Sequence, residues 1–252
     1  MPHINKKRPN TRLQIIQLAA KLFIEEGYSK TPLSKLAKIL DLSPGNITFY
    51  FPTKDYLLAV LTDELCDFQA MMMEQKVNEG KSSLLAYCLE LTSMAAICEE
   101  NEVAKDFYTS IYTSEVTLDL VRKNDTEKTK AIFKDYCPDW SEEQWSAAEN
   151  IVSGIEYATI MKTEQNAPLP LQIENALNAI LMIYGVPEEL RKTKIEKVLT
   201  MDYQALSRHI LSDFKKYIEE INEKNLKNAI ARQYKKNENI YERGCNYDVC
   251  GI

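Results

Sequence analysis

With 252 residues, 45% of them hydrophobic, the chain is long enough for one large domain or two modest ones around a packed core. No apolar run approaches the ~20 residues that a membrane-spanning helix requires, and the polar, basic N-terminus lacks the pattern of a secretory leader, so a cytoplasmic protein is expected. The formal charge of −6 hides a division, since residues 1–54 carry nine Lys and Arg against three acids while the rest carries 22 against 34. A basic module on an acidic body suggests that the N-terminal part meets a polyanion, although an ordinary solvated surface carries such charge too.

In chain order the pattern is helix after helix. Asn10 or Thr11 caps a first helix with the apolar stripe Ile16, Ala19, Ala20 and Phe23, ended by Gly27. Thr31-Pro32 sets a cap before a proline at the first helical position, opening a short helix from Leu33 to Leu40. Asp41-Leu42-Ser43 breaks that pattern. Ser43 then caps again ahead of Pro44, and the next short helix runs to about Tyr50. After Pro52, Thr53 caps a long helix over about 54–78. Further helices are expected at about 81–99, 102–111, 114–136, 141–164, 170–185, 187–199 and 203–221, with breaks at Cys137-Pro138-Asp139, at 166–170 and at Gly185-Val186-Pro187. No alternating run of β-branched residues supports a sheet. The fold class is therefore all-α, with a small N-terminal module and a larger helical body.

Two short helices joined by a tight turn, behind a longer supporting helix, form the helix-turn-helix pattern, in which the second helix enters the major groove. The stretch SPGNITFYFPTK (43–54) suits that role. Pro44 and Gly45 let the backbone approach a duplex, and Asn46 offers a donor and an acceptor to a base edge. Ile47 and Phe51 face inward, while Thr48, Phe49 and Tyr50 stay on the DNA side or its rim. Aromatics at helical spacing also serve as plain core, and Phe51 is expected to be that. Lys54 at the next helix start suits a phosphate.

The segments AAKLFIEEGY (19–28), TPLSKLAKILDLS (31–43) and GNITFYFPTKDYLL (45–58) resemble the DNA-binding domain of the tetracycline-repressor (TetR) family of bacterial transcription regulators. The resemblance covers about a fifth of the chain. It implies a helix-turn-helix DNA-binding domain at 1–53 and a helical regulatory and dimerisation domain at 54–221; the tail at 222–252 is unusual for the family, and Leu226, Ile230 and Tyr234 at four-residue steps suggest an extension that is helical at first and then flexible. The DNA-facing set becomes Thr31, Ser34, Lys35, Ser43, Pro44, Gly45, Asn46, Thr48, Phe49, Tyr50 and Lys54. Two positions depart from the family pattern: Asp41 stands where the turn usually has glycine, and Thr48 where a phosphate-contacting tyrosine is usual.

The resemblance also implies a homodimer on a pseudo-palindromic operator, paired through late helices. The residues expected at that interface are Trp145, Ile151, Ile155, Leu177, Ile180, Leu181 and Tyr184; the alternative is that they seal their own body. A small-molecule pocket among the middle helices is implied too, with Met71, Met94, Phe107, Tyr108, Tyr112, Tyr157 and Met161 as lining, and Met72 and Tyr87 as further candidates. Its ligand would be mostly apolar and would release the DNA. Glu99 and Glu100 could attract a cationic compound, but equally form a solvated helix end. The rival reading is a DNA-binding regulator without a small-molecule inducer, answering to a protein partner or acting architecturally. A body cavity of a few hundred cubic ångströms favours the sensor, and a filled body favours the rival.

No nucleophile motif, phosphate loop or metal-ligand spacing is evident, so neither an enzyme nor a cofactor or metal is expected. Six cysteines fit a reducing compartment as free thiols, and Cys245 and Cys250 are too isolated to suggest zinc.

Overall fold

A computed structural model describes residues 11–77, 83–161 and 167–221. The described residues form eleven helices and no strand: α1 Thr11–Glu25, α2 Leu33–Ile39, α3 Pro44–Tyr50, α4 Lys54–Val77, α5 Leu84–Glu100, α6 Glu102–Thr113, α7 Glu115–Phe133, α8 Glu142–Ile160, α9 Leu169–Ile183, α10 Glu188–Leu199 and α11 Tyr203–Glu220. The architecture is the all-α one expected. The extension at 222–252, with Cys245 and Cys250, lies outside the described residues.

Local chemistry accounts for the helix ends. The Ser43 hydroxyl accepts the Asn46 N–H at 3.2 Å with Pro44 in the first turn of α3, and Thr53 accepts the Tyr56 N–H at 3.4 Å at the start of α4. Asn101 ends α5 and caps α6, accepting from Val103 and Ala104. One expected cap is corrected. Pro32, not Thr31, is the N-cap of α2, and the Thr31 hydroxyl instead donates back to the Gly27 carbonyl at 2.9 Å. At the α2–α3 turn Asp41 takes φ 53°, the left-handed conformation that glycine usually fills. The Leu42 N–H reaches the Ala37 carbonyl at 2.9 Å and the Asp41 N–H the Lys38 carbonyl at 3.4 Å, satisfying the last carbonyls of α2.

Helices α1–α3 close on Ile15, Ile16, Phe23, Leu36, Ile47 and Phe51, all at most 1% exposed. The start of α4 adds Leu57 and Leu58 to the same core. In the body, α5 is the central post. It is buried on nearly every side and packs against α4, α6, α8, α9, α10 and α11. Helix α4 rises about 36 Å along its 24 residues and lies against α7 and α5.

The interface expected from the pattern needs correcting by face. Trp145, Leu177, Ile180, Leu181 and Tyr184 are at most 5% exposed and pack inside their own body. A helix as apolar as α9 meets α5, α8 and α10, which consumes these side chains. Ile151 is 58% exposed and Ile155 partly so.

Candidate functional site

The reading face presents Ser43, Pro44, Gly45, Asn46, Thr48 and Phe49 as exposed residues of α3 and its cap. Phe49 is 80% exposed and meets Tyr50 edge to face at 5.2 Å. Tyr50 is half-buried, and Ile47 and Phe51 are buried, as depth along the helix demands. The Thr48 hydroxyl turns back on its own helix, donating to the Pro44 and Gly45 carbonyls, both at 3.2 Å.

On α2 the picture is mixed. Ser34 is exposed, whereas Lys35 forms an ion pair with Glu26. Thr31 is wholly buried, so its side chain is withdrawn from the DNA-facing set. The Lys54 ammonium donates to the Tyr28 carbonyl at 2.8 Å and sits 3.7 Å from the centre of the Tyr28 ring. Burial lowers the lysine pKa, partly offset by Asp106 and Asp55. One lysine proton is committed to the protein; the other two are the ones a phosphate could take.

Tyr28 belongs to a small junction between head and body. Its hydroxyl donates to Asp55 at 2.5 Å, at the head of α4. The adjacent Ser29 donates its N–H to Asp106 of α6 at 2.8 Å, and its hydroxyl to the other oxygen of that carboxylate. Gly27 makes the approach possible. Its φ is +99°, and a Cβ there would lie 2.7 Å from the Asp106 carboxylate. The α1–α2 loop is thus held by α4 and α6 together. On its other side α1 is tied to α11, with Gln17 donating to the Ile218 and Glu219 carbonyls and Lys215 pairing with Glu25.

Between α4, α5, α6, α7 and α8 lies a cavity with about 40 Å³ of room for the centres of water molecules. Tyr108, Tyr112, Met94 and Tyr87 line it, as expected. The other expected residues do not. Met71 and Met161 are 44% and 38% exposed, and Phe107 is fully packed in the core. Tyr157 leans on Tyr112 without lining the cavity. Glu99 and Glu100 also stand apart from it; Arg208 holds the Glu100 carboxylate at 3.0 and 3.3 Å.

The wall is mostly apolar, in keeping with the expectation, but one part of it is acidic. Glu90, Asp125 and Glu156 contribute to the wall together with Lys128, whose ammonium pairs with Glu90. One oxygen each from Asp125, Glu149 and Glu156 lie within 4.8 Å of one another. Tyr112 donates to Glu156 at 3.1 Å, and Tyr184 donates to Glu149 at 2.9 Å. Burial raises all three carboxyls, Asp125 to about 6 and Glu149 to about 8; repulsion adds to it, from Glu90 at Asp125, from Asp125 at Glu149, and from Asp125 and Glu149 at Glu156. Burial opposes the charge on Lys128, but Glu90 and Asp125 outweigh it and hold the ammonium above its usual range. The signal for these acids was present in the chain. Glu149 and Glu156 stand two turns apart on the same stripe as Trp145, Val152 and Ile160, so helical period alone sends them inward.

A helix-turn-helix head on an all-helical body defines a DNA-binding regulatory protein. Residues 15–61 match the family model for bacterial regulatory proteins of the tetR family. The chain is 26% identical over 210 residues to the fatty acid metabolism regulator protein of Bacillus subtilis (strain 168), covering 82% of this chain and 95% of that one. It is 27% identical over 187 residues to the HTH-type transcriptional regulator QacR of Staphylococcus aureus (strain Mu50 / ATCC 700699), covering 69% of this chain and 97% of QacR. Among solved structures, the TetR family protein CprB from S. coelicolor A3(2) aligns with a TM-score of 0.41 and 20% identity, over 75% of this chain and 97% of CprB. Residues 15–61 thus match the DNA-binding domain of the tetR family, and the chain is similar over most of its length to curated transcriptional regulators rather than to enzymes. No helix among the described residues is long and apolar enough to cross a membrane.

Proposed function

We propose that the chain is an effector-responsive repressor that binds a pseudo-palindromic operator as a homodimer and releases it when the body cavity is occupied; at about 40 Å³ that cavity falls short of the few hundred cubic ångströms that would favour a drug-sized effector, so its occupant is small. Residues 1–53 serve as the DNA-binding domain and 54–221 as the regulatory and dimerisation domain. The observation that carries this reading is the continuity of α6. Asp106 holds the α1–α2 loop, and Tyr108, Ile111 and Tyr112, the next turns of the same helix, line the cavity. A ligand that prefers one setting of α6 thereby biases the placement of the reading head by its differential affinity for the two settings. Helix α4 makes a second route, since Thr62, Leu65 and Gln69 line the cavity and Asp55 holds Tyr28.

The DNA contacts are assigned to Ser43, Pro44, Gly45, Asn46, Thr48, Phe49 and Tyr50 on α3, with Ser34 and Lys35 on α2 and Lys54 on α4. Asn46 reads a base edge, and the exposed Phe49 offers apolar contact to a thymine methyl. Dimerisation is assigned to the outer face of α8. Ala147, Ile151, Gly154, Ala158 and Met161 are exposed there at helical spacing, with Leu171 and Met182 exposed on the neighbouring α9. No side chain comes within 4 Å of a Cβ built on Gly154, which leaves room for a close helix crossing.

The test is to select DNA fragments with the purified protein and follow their release by fluorescence anisotropy. Asn46→Ala should relax sequence preference at one position of each half-site. Lys54→Ala should weaken all DNA and make the salt dependence shallower by about one unit. Operator affinity unchanged by every ligand that occupies the body would refute the induction scheme.

A further inference from the structure

We propose that the acidic end of the cavity is a binding site for a single divalent metal ion, held by Asp125 of α7 and Glu156 of α8, which line it, and by Glu149 of α8 just behind them; this rests on reading the cavity as the effector site. Three observations converge on it. One oxygen from each carboxylate lies within 4.8 Å of the other two. Ligands of an ion bound at ~2.1–2.4 Å stand at most about 4.2–4.8 Å apart, so the three oxygens lie within the span that one ion can bridge with small side-chain adjustments.

Tyr87 supplies a feature independent of the carboxylates. It is 6% exposed and lines the same cavity, and its hydroxyl is buried with no hydrogen-bond partner among the described residues. A buried hydroxyl left unpaired costs about 1–3 kcal/mol, and a water on a bound ion is a partner that would satisfy it. Oxygen Oε1 of Glu149, a residue with no exposed surface, is likewise unpaired. Its other oxygen is the one that Tyr184 holds, so the free oxygen is available as a ligand while the side chain stays fixed.

Charge and size then choose the occupant. With all four ionised, as metal ligation requires of its carboxylates, Glu90, Asp125, Glu149 and Glu156 face two cations, Lys128 and Arg122, a formal excess of two negative charges. Lys128 is committed to Glu90, and Arg122 donates to the Ser153 hydroxyl at 3.0 Å. A divalent ion balances the excess. The room of about 40 Å³ accepts an ion with one or two waters, at about 10–15 Å³ per water, and falls far below the ~300 Å³ at which pockets for drug-sized ligands begin. Carboxylate donors select hard ions such as Mn²⁺, Mg²⁺ and Ca²⁺ over softer ones.

The experiment uses the full chain, stripped of metal with a chelator and titrated with Mn²⁺, with the loss of the free-ion electron paramagnetic resonance signal as the readout. One Mn²⁺ per chain is expected, displaced by Mg²⁺ or Ca²⁺. Glu149→Gln together with Glu156→Gln should weaken binding by about 100-fold or more, and Tyr87→Phe by about 10-fold. Circular dichroism confirms that each variant is folded; should the double variant unfold, Tyr87→Phe and the single Glu156→Gln decide. No binding at millimolar Mn²⁺, or binding indifferent to all of these substitutions, overturns the proposal. So does occupancy by tetramethylammonium or spermidine in place of the metal. Operator affinity is measured separately with and without Mn²⁺. Metal bound with no change in operator affinity keeps the site and sinks the effector reading, so the two failures are told apart.

Discussion

The junction at Gly27–Ser29 supports a prediction whose size follows from its geometry. Asp106→Ala removes the two carboxylate oxygens that accept from Ser29, one from its N–H at 2.8 Å and the other from its hydroxyl. A hydrogen bond to a charged group is worth about 1.5–3 kcal/mol when well shielded, and these two lie at exposed positions where water substitutes, so the pair should be worth about 1–2 kcal/mol. At 1.4 kcal/mol per factor of ten, the Ser29 amide should exchange with solvent about 10-fold faster, while the buried amides of α5 stay unchanged. Native-state hydrogen exchange resolved at Ser29 measures this directly. Gly27→Ala supplies the second half of the cycle. It costs about 1–2 kcal/mol for placing alanine at positive φ, plus the displacement of a carboxylate that lies 2.7 Å from the new Cβ. With Asp106 already replaced, only the backbone cost remains, so the two effects should sum to less than their separate values. Unchanged exchange at Ser29 in Asp106→Ala, or strict additivity in the double variant, would refute the account of the junction.

Three further outcomes are expected. Asp41→Gly should stabilise the protein by about 1 kcal/mol, raising Tm by roughly 2–4 °C in scanning calorimetry, because it relieves a non-glycine residue at φ 53°. Ile151→Glu should dissociate the dimer in sedimentation velocity without loss of helical signal, whereas Leu177→Glu, at a fully buried position, should unfold the body; equal behaviour of the two would contradict the assigned face. Burial raises the Glu149 carboxyl from 4.5 to about 8 and raises Glu156 too, so the fold holds protons that the unfolded chain releases. Stability from these groups is full below their unfolded pKa and is lost as pH rises through the folded values. Metal-free protein should therefore lose thermal stability from about pH 5 to pH 8, and Glu149→Gln with Glu156→Gln should flatten the curve. An identical slope in the double variant would be inconsistent with this origin.

The helices, their order and the reading motif were legible in the chain because each rests on local chemistry. A serine before Pro44, an aspartate that tolerates positive φ at 41, and apolar residues every three or four positions act within a few residues of themselves. Partnering between helices is different. Leu177, Ile180 and Tyr184 are apolar enough for an interface or for a core, and only the packing of α9 on α5 and α8 assigns them inward. The same holds for Lys54, whose type suits a phosphate but whose ammonium is occupied by Tyr28, 26 residues away in sequence. Asp106 meets Ser29 across 77 residues, and Tyr112 meets Glu156 across 44. Period places Glu149 and Glu156 on an inward stripe, but only the crossing of α7 over α8 brings Asp125 to them. The sequence alone thus determined which segments are helical and which one is built to read DNA, since backbone and side-chain preferences act locally. The tertiary structure decided which faces are spent on the core, what holds the reading head to the body, and that carboxylates cluster at one part of the cavity, because those depend on contacts between residues distant along the chain.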